Sequence, residues 1–331
     1  MKRCIVFLSF MWLITLTGLS QETETKKAQN LFVNDELLRE ISVNAIFAEK
    51  QYVGINQQGS RNTTQLDQIS LTSGQRNAVN IFQRGRDNLI DIESVGGNHN
   101  IAAQQWGNLN TISQQIKTSV FNNSIVVQKG NGNTGNLSID GSYNEVRIET
   151  KGNDNAVGTA REISVKGDHM RTWIQQLGDF NEVDACQEGD LQQASITQKG
   201  DFNVLSLQQK NFQKDISGNA VYLEQNGSTN NMRVQQSGNN SNMFVLQEGT
   251  RNQLELELLE DEVKGSISQL GNQNLLLQKI SGRGQEYEII QEGNNNLLIQ
   301  SDNREQAPYY KIHQKGNGMK LILENTQMVS R

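Results

Sequence analysis

Apolar and polar residues alternate along most of the chain in short segments of about seven residues. In the segment 181–187, the first, third, fifth and seventh residues are Asn, Val, Ala and Gln, with Glu, Asp and Cys between them. The segments 203–209, 230–236 and 252–258 alternate in the same way. A period of two predicts β-strands with one buried face. Their central apolar residues, such as Val183, Leu205, Val234 and Leu256, are therefore predicted to face inward.

A glycine follows each predicted strand and recurs with a fixed spacing. Gly178, Gly189 and Gly200 stand eleven residues apart, each within the pattern Gln-x-Gly-x-x-Asn or a close variant of it. Glycine suits a sharp turn because it adopts positive φ without steric cost, and the Asn that follows tolerates left-handed backbone. Each unit therefore predicts one strand and one turn. A fixed period of this kind is typical of repeat architectures.

Two units of eleven residues predict an all-β fold, a two-sheet stacked β-solenoid. It would contain about twelve 22-residue coils, each with two strands joined by Gly-x-x-Asn turns, and its stacking would resemble cross-β structure. Inward Gln and Asn side chains would then form hydrogen-bonded ladders, which offset the cost of burying amides. A three-faced β-helix and an antiparallel meander of hairpins remain alternatives, and strand length alone does not separate the meander from the solenoid.

The ladder and turn positions are predicted from the units that match the pattern best. These positions are Gln83, Gly85, Asn88, Gln105, Gly107, Asn110, Gln176, Gly178, Asn181, Gln187, Gly189, Gln198, Gly200, Asn203, Gln247, Gly249, Asn252, Gln291, Gly293 and Asn296. His99 and Met170 occupy the position of the Asn that closes a turn. Departures from the pattern fall at 158–162, 211–219, 260–263 and 302–307, where we expect longer turns that leave the ladders intact.

The repeat divides the chain into four parts. Residues 1–20 have a basic start, a short apolar run and small residues before Gln21, which predicts a signal peptide and export across a bacterial inner membrane. Residues 21–50 lie outside the repeat and are predicted to be a cap or an export tag, with Asn34 capping a short helix over 35–41. The repeat solenoid covers 51–323, and 324–331 form a C-terminal tail.

Composition limits the functions that the exported chain is expected to have. Without Lys2 and Arg3 the chain keeps 28 basic and 36 acidic residues, a net charge of −8. This acidity argues against nucleic acid as a partner. Only Cys186 remains after the signal peptide, on an outward position, so no disulfide framework is expected. No segment beyond the signal peptide has the length and apolarity of an integral membrane span.

The pattern Gln-x-Gly-x-x-Asn, with Gln again six residues after the Asn, resembles the curlin repeat of bacterial curli fibres. The stretches beginning at Gln83, Gln105, Gln198, Gln247 and Gln291 match it well, and the resemblance covers about four-fifths of the chain. It implies a structural protein of an extracellular amyloid fibre, subunit or nucleator, that supports adhesion and biofilm on the bacterial surface. It also implies self-association, other curlin-like subunits as partners and an outer-membrane export machinery. The chain departs from the family in its larger number of repeats and its irregular turns.

The residues predict no enzyme, cofactor or metal site. The acidic stretch 255–262 alternates with leucines, as a solvated strand face does, and the three histidines are far apart in the repeat. A soluble or surface-attached adhesin that binds carbohydrate through Trp106, in a predicted turn, or Trp173 is the alternative function. For a fibre, the basic final coil is the candidate assembly contact, expected to dock against the acidic coil near Glu255 or Glu288 of another molecule. Its residues are Lys311, Lys315, Lys320 and Arg331.

Overall fold

The computed structural model is all-β, and its strands form two stacked sheets. It describes residues 52–69, 76–159, 162–211, 218–259, 261–281, 286–302 and 310–324, together with three short strands nearer the N-terminus. We number the strands β1 to β28 in chain order. The solenoid has about 11 turns of about 22 residues. The predicted two-sheet β-solenoid is therefore confirmed.

Sheet 1 has 15 strands. They are β1 (Ile5–Val6), β3 (Glu40–Ile46), β5 (Thr63–Ile69), β7 (Leu89–Gly97), β9 (Thr111–Val120), β11 (Thr134–Asp140), β13 (Ala156–Val157), β14 (Ile163–Lys166), β16 (Glu182–Glu188), β18 (Val204–Lys210), β20 (Asn231–Ser237), β22 (Gln253–Leu258), β24 (Leu275–Ile280), β26 (Leu297–Asp302) and β28 (Lys320–Glu324).

Sheet 2 has 13 strands and stacks against sheet 1. They are β2 (Leu31–Asn34), β4 (Tyr52–Ser60), β6 (Ala78–Arg86), β8 (Asn100–Trp106), β10 (Asn123–Lys129), β12 (Glu145–Lys151), β15 (Arg171–Leu177), β17 (Gln193–Lys199), β19 (Ala220–Ser228), β21 (Asn242–Thr250), β23 (Lys264–Asn272), β25 (Glu286–Gln291) and β27 (Tyr310–Gln314).

The register of the sheets excludes both alternative topologies. Strands of neighbouring coils pair in parallel, as Val183 of β16 does with Leu205 of β18. A meander of hairpins would pair consecutive strands antiparallel, and a three-faced helix would form three sheets. Among the described strands, only β1 and β3 pair antiparallel. The chain therefore passes from one sheet to the other and back in each coil.

The core lies between the two sheets, on the parity that the alternation predicts. Val183, Leu205, Val234 and Leu256 are at most 1% exposed, and the strand residues between the inward positions are partly or fully exposed. Each typical strand places three side chains inside, usually two apolar residues followed by Gln, as Ala194, Ile196 and Gln198 of β17 are. The polar residue at the third inward position distinguishes this interior from that of an ordinary sheet sandwich, because a buried side-chain amide needs hydrogen-bond partners.

The N-terminal segment differs from its prediction. Glu40 and Ile41, expected to end a helix, begin β3, which pairs in parallel with β5 of the following coil. Residues 41–46 alternate Ile, Val and Ala with polar residues, so strand pairing outweighs the helical tendency of the residues before them. Residues 35–39 lie outside the described residues. Within the predicted signal peptide, only Ile5–Val6 is described.

One irregular segment lies inside a strand and not at a turn, contrary to its prediction. Both β13 and β14 pair with the same strand, β11, so the irregular segment falls between two strands of one sheet, in the middle of a coil. The other three irregular segments follow β18, β22 and β26, at the end of a sheet 1 strand. The segment 260–263 adds no residues to its coil, since Gly249 and Gly271 stand 22 residues apart. Val263 takes the position where Asn usually stands, and its carbonyl accepts the backbone N–H of Asn242.

The turns contain two residues with positive φ. In the turn 178–181, φ is 117° at Gly178 and 55° at Phe180, and the same pair recurs in the turn 200–203. The sequence allowed left-handed backbone at the closing Asn, but the structure places it at the residue before the Asn. The Asn side chain points inward and its amide group bonds the neighbouring coils. This requirement for Asn comes from stacking and not from turn geometry.

Candidate functional site

The two turns of each coil differ in regularity. We call the turn from sheet 2 to sheet 1 the first corner, and the turn from sheet 1 to sheet 2 the second corner. The first corner begins with glycine in each coil from Gly59 to Gly316 and closes with Asn in each coil from Asn62 to Asn296. The second corner closes with Asn77, His99, Asn122, Asn144, Met170, Gln192, Asn219, Ser241 and Val263. The true repeat is therefore 22 residues with unequal halves.

A continuous Asn ladder runs along the first corner. Asn203 donates its backbone N–H and its Nδ2 to Asn181 Oδ1, both at 3.1 Å, and its Nδ2 also to the carbonyl of Gly227 at 2.8 Å. Each Asn therefore bonds the coil before it and the coil after it. The members are Asn62, Asn88, Asn110, Asn133, Asn155, Asn181, Asn203, Asn230, Asn252, Asn274 and Asn296.

A Gln ladder follows the last inward position of sheet 2. Gln176 donates to Gln198 at 3.0 Å and Gln198 donates to Gln225 at 2.8 Å, and the chain of bonds continues through Gln247 to Gln269. A second stretch of the same ladder joins Gln57, Gln83, Gln105 and Gln128. Thr150 of β12 separates the two stretches. The ladder positions near the C-terminus behave differently, because Gln291 donates to the carbonyl of Asn296.

Sheet 1 carries a much shorter Gln ladder. Gln187 donates to Gln209 at 2.8 Å, and Gln209 donates to Gln236 at 2.9 Å. The next inward position in the series is Leu258, which ends the ladder. The sequence pattern does not distinguish Gln187 from the other predicted ladder glutamines. The structure places Gln187 on sheet 1, whereas the other predicted ladder glutamines lie on sheet 2.

The predicted turn glycines also divide between the corners. Gly85, Gly107, Gly178, Gly200, Gly249 and Gly293 lie in the first corner, where each stacks on the glycine of the next coil. Gly189 lies in the second corner, where Asn211 takes the equivalent place in the next coil. Extra residues occur at the second corner or, at 158–162, within the sheet 1 half of a coil, while the first corner keeps its spacing. The first corner and the sheet 2 ladder together form the most regular edge of the solenoid.

Aromatic stacking at the corners was not anticipated from the sequence. Phe121, Tyr143 and His169 stack in successive coils at the second corner, with ring centroids 5.1 and 4.9 Å apart. Phe180 and Phe202 stack at the first corner, 4.9 Å apart. All five residues have positive φ, which is uncommon for bulky side chains. Stacking between coils offsets part of this strain. The available signal is the aromatic residue two positions after the turn glycine or its equivalent.

Outward charges pair mainly between neighbouring coils. Lys199 lies 2.9 Å from Glu224, and this hydrogen bond lowers the pKa of the glutamate. Near the N-terminal end, burial raises the pKa of Asp91, and the carboxylates of Asp67 and Glu93 raise it further. Pairs on the exposed surface contribute little stability, about 0–1 kcal/mol each. Their arrangement keeps the outer faces polar, which disfavours sideways association of sheets.

The candidate assembly residues have unequal surroundings. Lys311 lies 3.5 Å from Glu288, and Lys315 lies 3.4 Å from Glu292, so both already pair with the preceding coil of the same chain. Glu288 is one of the two residues that the basic coil was expected to meet in another molecule. Lys320 is exposed and makes no ion pair within the described part of the chain. Arg331 lies outside the described residues.

The last described coil leaves open strand edges. In β26 the backbone N–H of Leu297 donates to the carbonyl of Met319 in the following coil at 2.8 Å. The equivalent groups of Lys320 and Ile322 in β28 have no following coil among the described residues. Ile322 is 55% exposed, and Met319 replaces the ladder Asn at this end. The main chain of the last coil can therefore accept another strand.

His99 replaces Asn in the second corner and makes the local hydrogen bonding sensitive to pH. Its Nδ1 accepts the backbone N–H of Asn122 at 3.3 Å, the role that an Asn oxygen plays in other coils. Burial lowers the pKa of His99, an effect partly opposed by backbone hydrogen bonds to Val95 and Ser119. A protonated imidazole has no lone pair to accept this bond.

We expect acidification to destabilise the coils around His99. Because the folded pKa lies below the unfolded value of about 6.5, the stabilising contribution is complete above that value and is lost as pH falls towards the lowered folded pKa. In His99→Asn, protection of nearby amides from hydrogen exchange should depend less on pH over this window. His169→Asn, at an exposed site, is the control. An equal pH dependence in His99→Asn and the unsubstituted protein would contradict this assignment.

Neither Trp106 nor Trp173 is buried. Trp106 was predicted to lie in a turn, but it is the last residue of β8, where its backbone still pairs with β6 and β10. It packs against Phe82 at 5.0 Å, and Lys129 lies over its ring. Trp173 is 52% exposed, on the outward parity predicted for it, and the guanidinium of Arg147 lies 5.7 Å from its ring. These rings offer flat apolar surfaces on the outer face of sheet 2.

The described residues contain no group of three or more His, Cys, Asp or Glu side chains placed to hold a metal ion. Cys186 is free and half-buried on the outward face of β16. No helix in the described part of the chain is long and apolar enough to cross a membrane. Within the described residues, the amide ladders and the open strand edges are the features that bear on function.

No protein family, curated protein or solved structure matches this chain.

Proposed function

We propose that the protein is a structural component of an extracellular, curli-like amyloid fibre, as subunit or nucleator, that supports adhesion and biofilm matrix at the bacterial surface. The observation that carries this proposal is the pair of amide ladders that run parallel to the stacking direction. The Asn ladder extends to Asn296, one coil before the open strand edge of β28, and the Gln ladder extends to Gln269. Such stacking of identical amides adds to the backbone pairing that stabilises cross-β fibres. The resemblance of the repeat to curlin supports the same function.

Growth would occur by addition of strands to the open end. An incoming coil would accept hydrogen bonds from the free N–H groups of β28 and cover the partly buried Leu321 and Leu323. Because the two ends of a solenoid differ, the contact is head-to-tail and does not close, so it produces a filament. The basic residues of the final coil contribute less to this contact between molecules than the sequence predicts. Lys311 and Lys315 would have to exchange partners, whereas Lys320 is available.

Ile322→Pro should slow fibre growth without unfolding the coils. Backbone groups at the parity of Lys320 and Ile322 point towards the missing coil, so proline there removes a donor needed only by an incoming strand. Fibre formation by the purified mature protein at neutral pH would be followed by electron microscopy and light scattering. We expect a lag about tenfold longer for the variant, since an edge proline blocks strand addition.

Ile322→Thr keeps the N–H and is the matched control. A chain lacking residues 309–331 tests the same contact by removing β27 and β28, and its remaining coils should stay folded. Equal lag and growth rate in the proline variant, the truncated chain and the control would refute this end as the growing contact. Stable, dispersed rods from the unsubstituted protein would refute the fibre itself.

A soluble or surface-attached adhesin that binds carbohydrate is the second candidate function. It is favoured by one outward column of sheet 2, where Trp173, Tyr222 and Phe244 are 52%, 49% and 41% exposed. Ser195 lies between Trp173 and Tyr222 in this column and leaves a gap between the rings. Aromatic faces of this kind bind sugar rings by stacking. Dispersed rods whose binding to glycans is lost in Trp173→Ala would support this function over the fibre.

A further inference from the structure

A groove crosses the outer face of sheet 2 near the N-terminal end of the solenoid, over β4, β6 and β8. Its volume is about 360 Å³, within the range of about 300–1,000 Å³ that is typical of small-molecule sites. The floor follows one outward column, in which Gly54 pairs in register with Asn80, and Asn80 with Ala102. Because two of these three residues are very small, the surface is low there. The rings of Tyr52 and Phe82 line the groove beside this column.

Polar groups converge on the glycine in this floor. A Cβ atom at Gly54 would lie 3.1 Å from Oδ1 of Asn80 and 3.2 Å from the hydroxyl oxygen of Tyr52. Gly54 lies inside a strand and does not have the positive φ of the corner glycines, so no turn requires it. Glycine weakens the interior of a strand, and it often marks a place where a ligand approaches the backbone closely. The small size of Gly54, and not its backbone freedom, therefore shapes the groove.

Three side-chain amides border the groove and are free to bond a ligand. Within the described residues, Asn56, Asn80 and Gln104 make no side-chain hydrogen bond, and Asn56 and Gln104 are half-buried. The outward residues Asn100 and Asn123 of the same sheet, in contrast, bond each other at 3.0 Å. An amide has two N–H donors and a carbonyl acceptor, so each of the three can bond a group that both donates and accepts. Hydroxyl groups have this property.

The strands that form the groove are nearly uncharged on their outer face. Arg84 and Arg86, at the first-corner end of β6, are the only charged outward residues of β4, β6 and β8, and neither lines the groove. In β12, two coils after β8, every outward residue is charged. A charged ligand in the groove would lose hydration without gaining a counter-charge, which is costly. The composition therefore favours a neutral ligand that carries hydroxyl groups.

We propose that this groove binds a neutral oligosaccharide. A sugar ring has an apolar C–H face and a rim of hydroxyl groups, so the face can stack on Phe82 while the rim bonds Asn80 and Gln104. Gln104 pairs in register with Phe82, and Asn80 stands two residues before it, so the amides flank the ring. Trp106 packs against Phe82 with ring centroids 5.0 Å apart and fixes its orientation, which makes Trp106 a positioning residue. Tyr52, 42% exposed, forms the other wall.

This site is distinct from both features on which the proposed functions rest. The charged strand β12 separates the groove from Trp173 of β15, and the open edge of β28 lies at the other end of the solenoid. Binding in the groove therefore depends neither on fibre growth nor on the Trp173 column. In a fibre, each molecule would present one groove on an outer face, and the many copies would strengthen weak binding at single sites.

The test measures binding of three neutral probes, cellohexaose, maltohexaose and mannohexaose, to freshly purified soluble protein by isothermal titration calorimetry. At least one probe should bind, and its dissociation constant should rise about tenfold or more in Phe82→Ala and in Gln104→Ala, because each variant loses one of the contacts described. Phe244→Ala, which removes an aromatic ring 41% exposed on the same face, is the control and should bind normally. Circular dichroism would show that each variant is folded.

A variant that fills the groove tests the same site by a second route. Ala102→Phe should abolish binding because its ring would occupy the floor, whereas Ala220→Phe makes the same change at a half-buried outward position of β19. Both substitutions suit a strand, so both proteins should fold. Failure of all three probes to bind, or unchanged affinity in Phe82→Ala or Ala102→Phe, would overturn the proposal. Tighter binding of an anionic oligogalacturonate of equal length would also overturn it.

Trp173→Ala separates this site from the second candidate function. We expect it to leave binding of the neutral probe unchanged, since Trp173 does not line the groove. Loss of binding in Trp173→Ala, with full binding in Phe82→Ala, would place the sugar at the Trp173 column and contradict the groove. Neither result bears on fibre growth, so the fibre proposal stands or fails by its own experiment.

Discussion

Val234→Asp should destabilise the central coils by several kcal/mol, which is a large fraction of the stability of a typical domain. Val234 is fully buried, and its neighbours in the adjoining coils are Leu207 and Leu256. A carboxylate at this position has no partner and loses its hydration, so it must either remain charged at high cost or take up a proton. Urea denaturation followed by circular dichroism would measure the loss.

Arg233→Asp is the matched control for this substitution. Arg233 precedes Val234 in β20 but faces outward, where its contact with Glu255 is long and exposed. Placing a second acidic residue beside Glu255 should cost no more than about 1 kcal/mol. If both variants lost equal amounts of stability, the assignment of inward and outward faces in β20 would be wrong.

Gly200→Val should strongly damage the first corner. The backbone has φ of 98° there, and a Cβ atom would lie 2.1 Å from the carbonyl oxygen of Gly227 in the next coil. Left-handed strain alone costs about 1–3 kcal/mol for a side chain of this type, and relief of the clash requires separating two coils. We expect slow folding and a marked loss of stability, measured by refolding kinetics and urea denaturation.

Two controls separate the causes of this effect. Lys199→Val changes the neighbouring exposed residue and loses only the surface contact with Glu224. Gly316→Ala has nearly the same strain, with φ of 110°, but its Cβ would approach only the flexible side chain of Met319. Gly200→Ala should therefore cost clearly more than Gly316→Ala. Equal costs would show that backbone strain, and not the stacking of coils, explains the glycine at this corner.

The two corners should differ in how well they tolerate insertions and substitutions. The first corner combines glycine stacking with the Asn ladder, so an inserted residue there would break contacts with two coils at once. At the second corner, Met170, Ser241 and Val263 stand in the place of Asn and are accommodated within the fold. The chain is therefore held in register along one edge and is free to vary along the other.

The sequence by itself determined the strands, their buried faces and the period. The strands and their buried faces depend on contacts within a few residues, such as the alternation around Val183, so a single unit reveals them. The period follows from the recurrence of the glycine that ends each strand. Repetition adds the inference that identical amides can stack. The solenoid class follows from these two facts, although the sequence left the hairpin meander possible.

The tertiary structure decided what depends on residues one coil apart. Only the parallel register joins β16 to β18, assigns Gln187 to the shorter ladder and makes one corner more regular than the other. The left-handed residue is Phe180 and not Asn181 because the Asn amide is needed between coils. Strand pairing likewise placed Glu40 in β3. Lys311 meets Glu288 of its own chain because stacking brings them together, a proximity that no local pattern encodes.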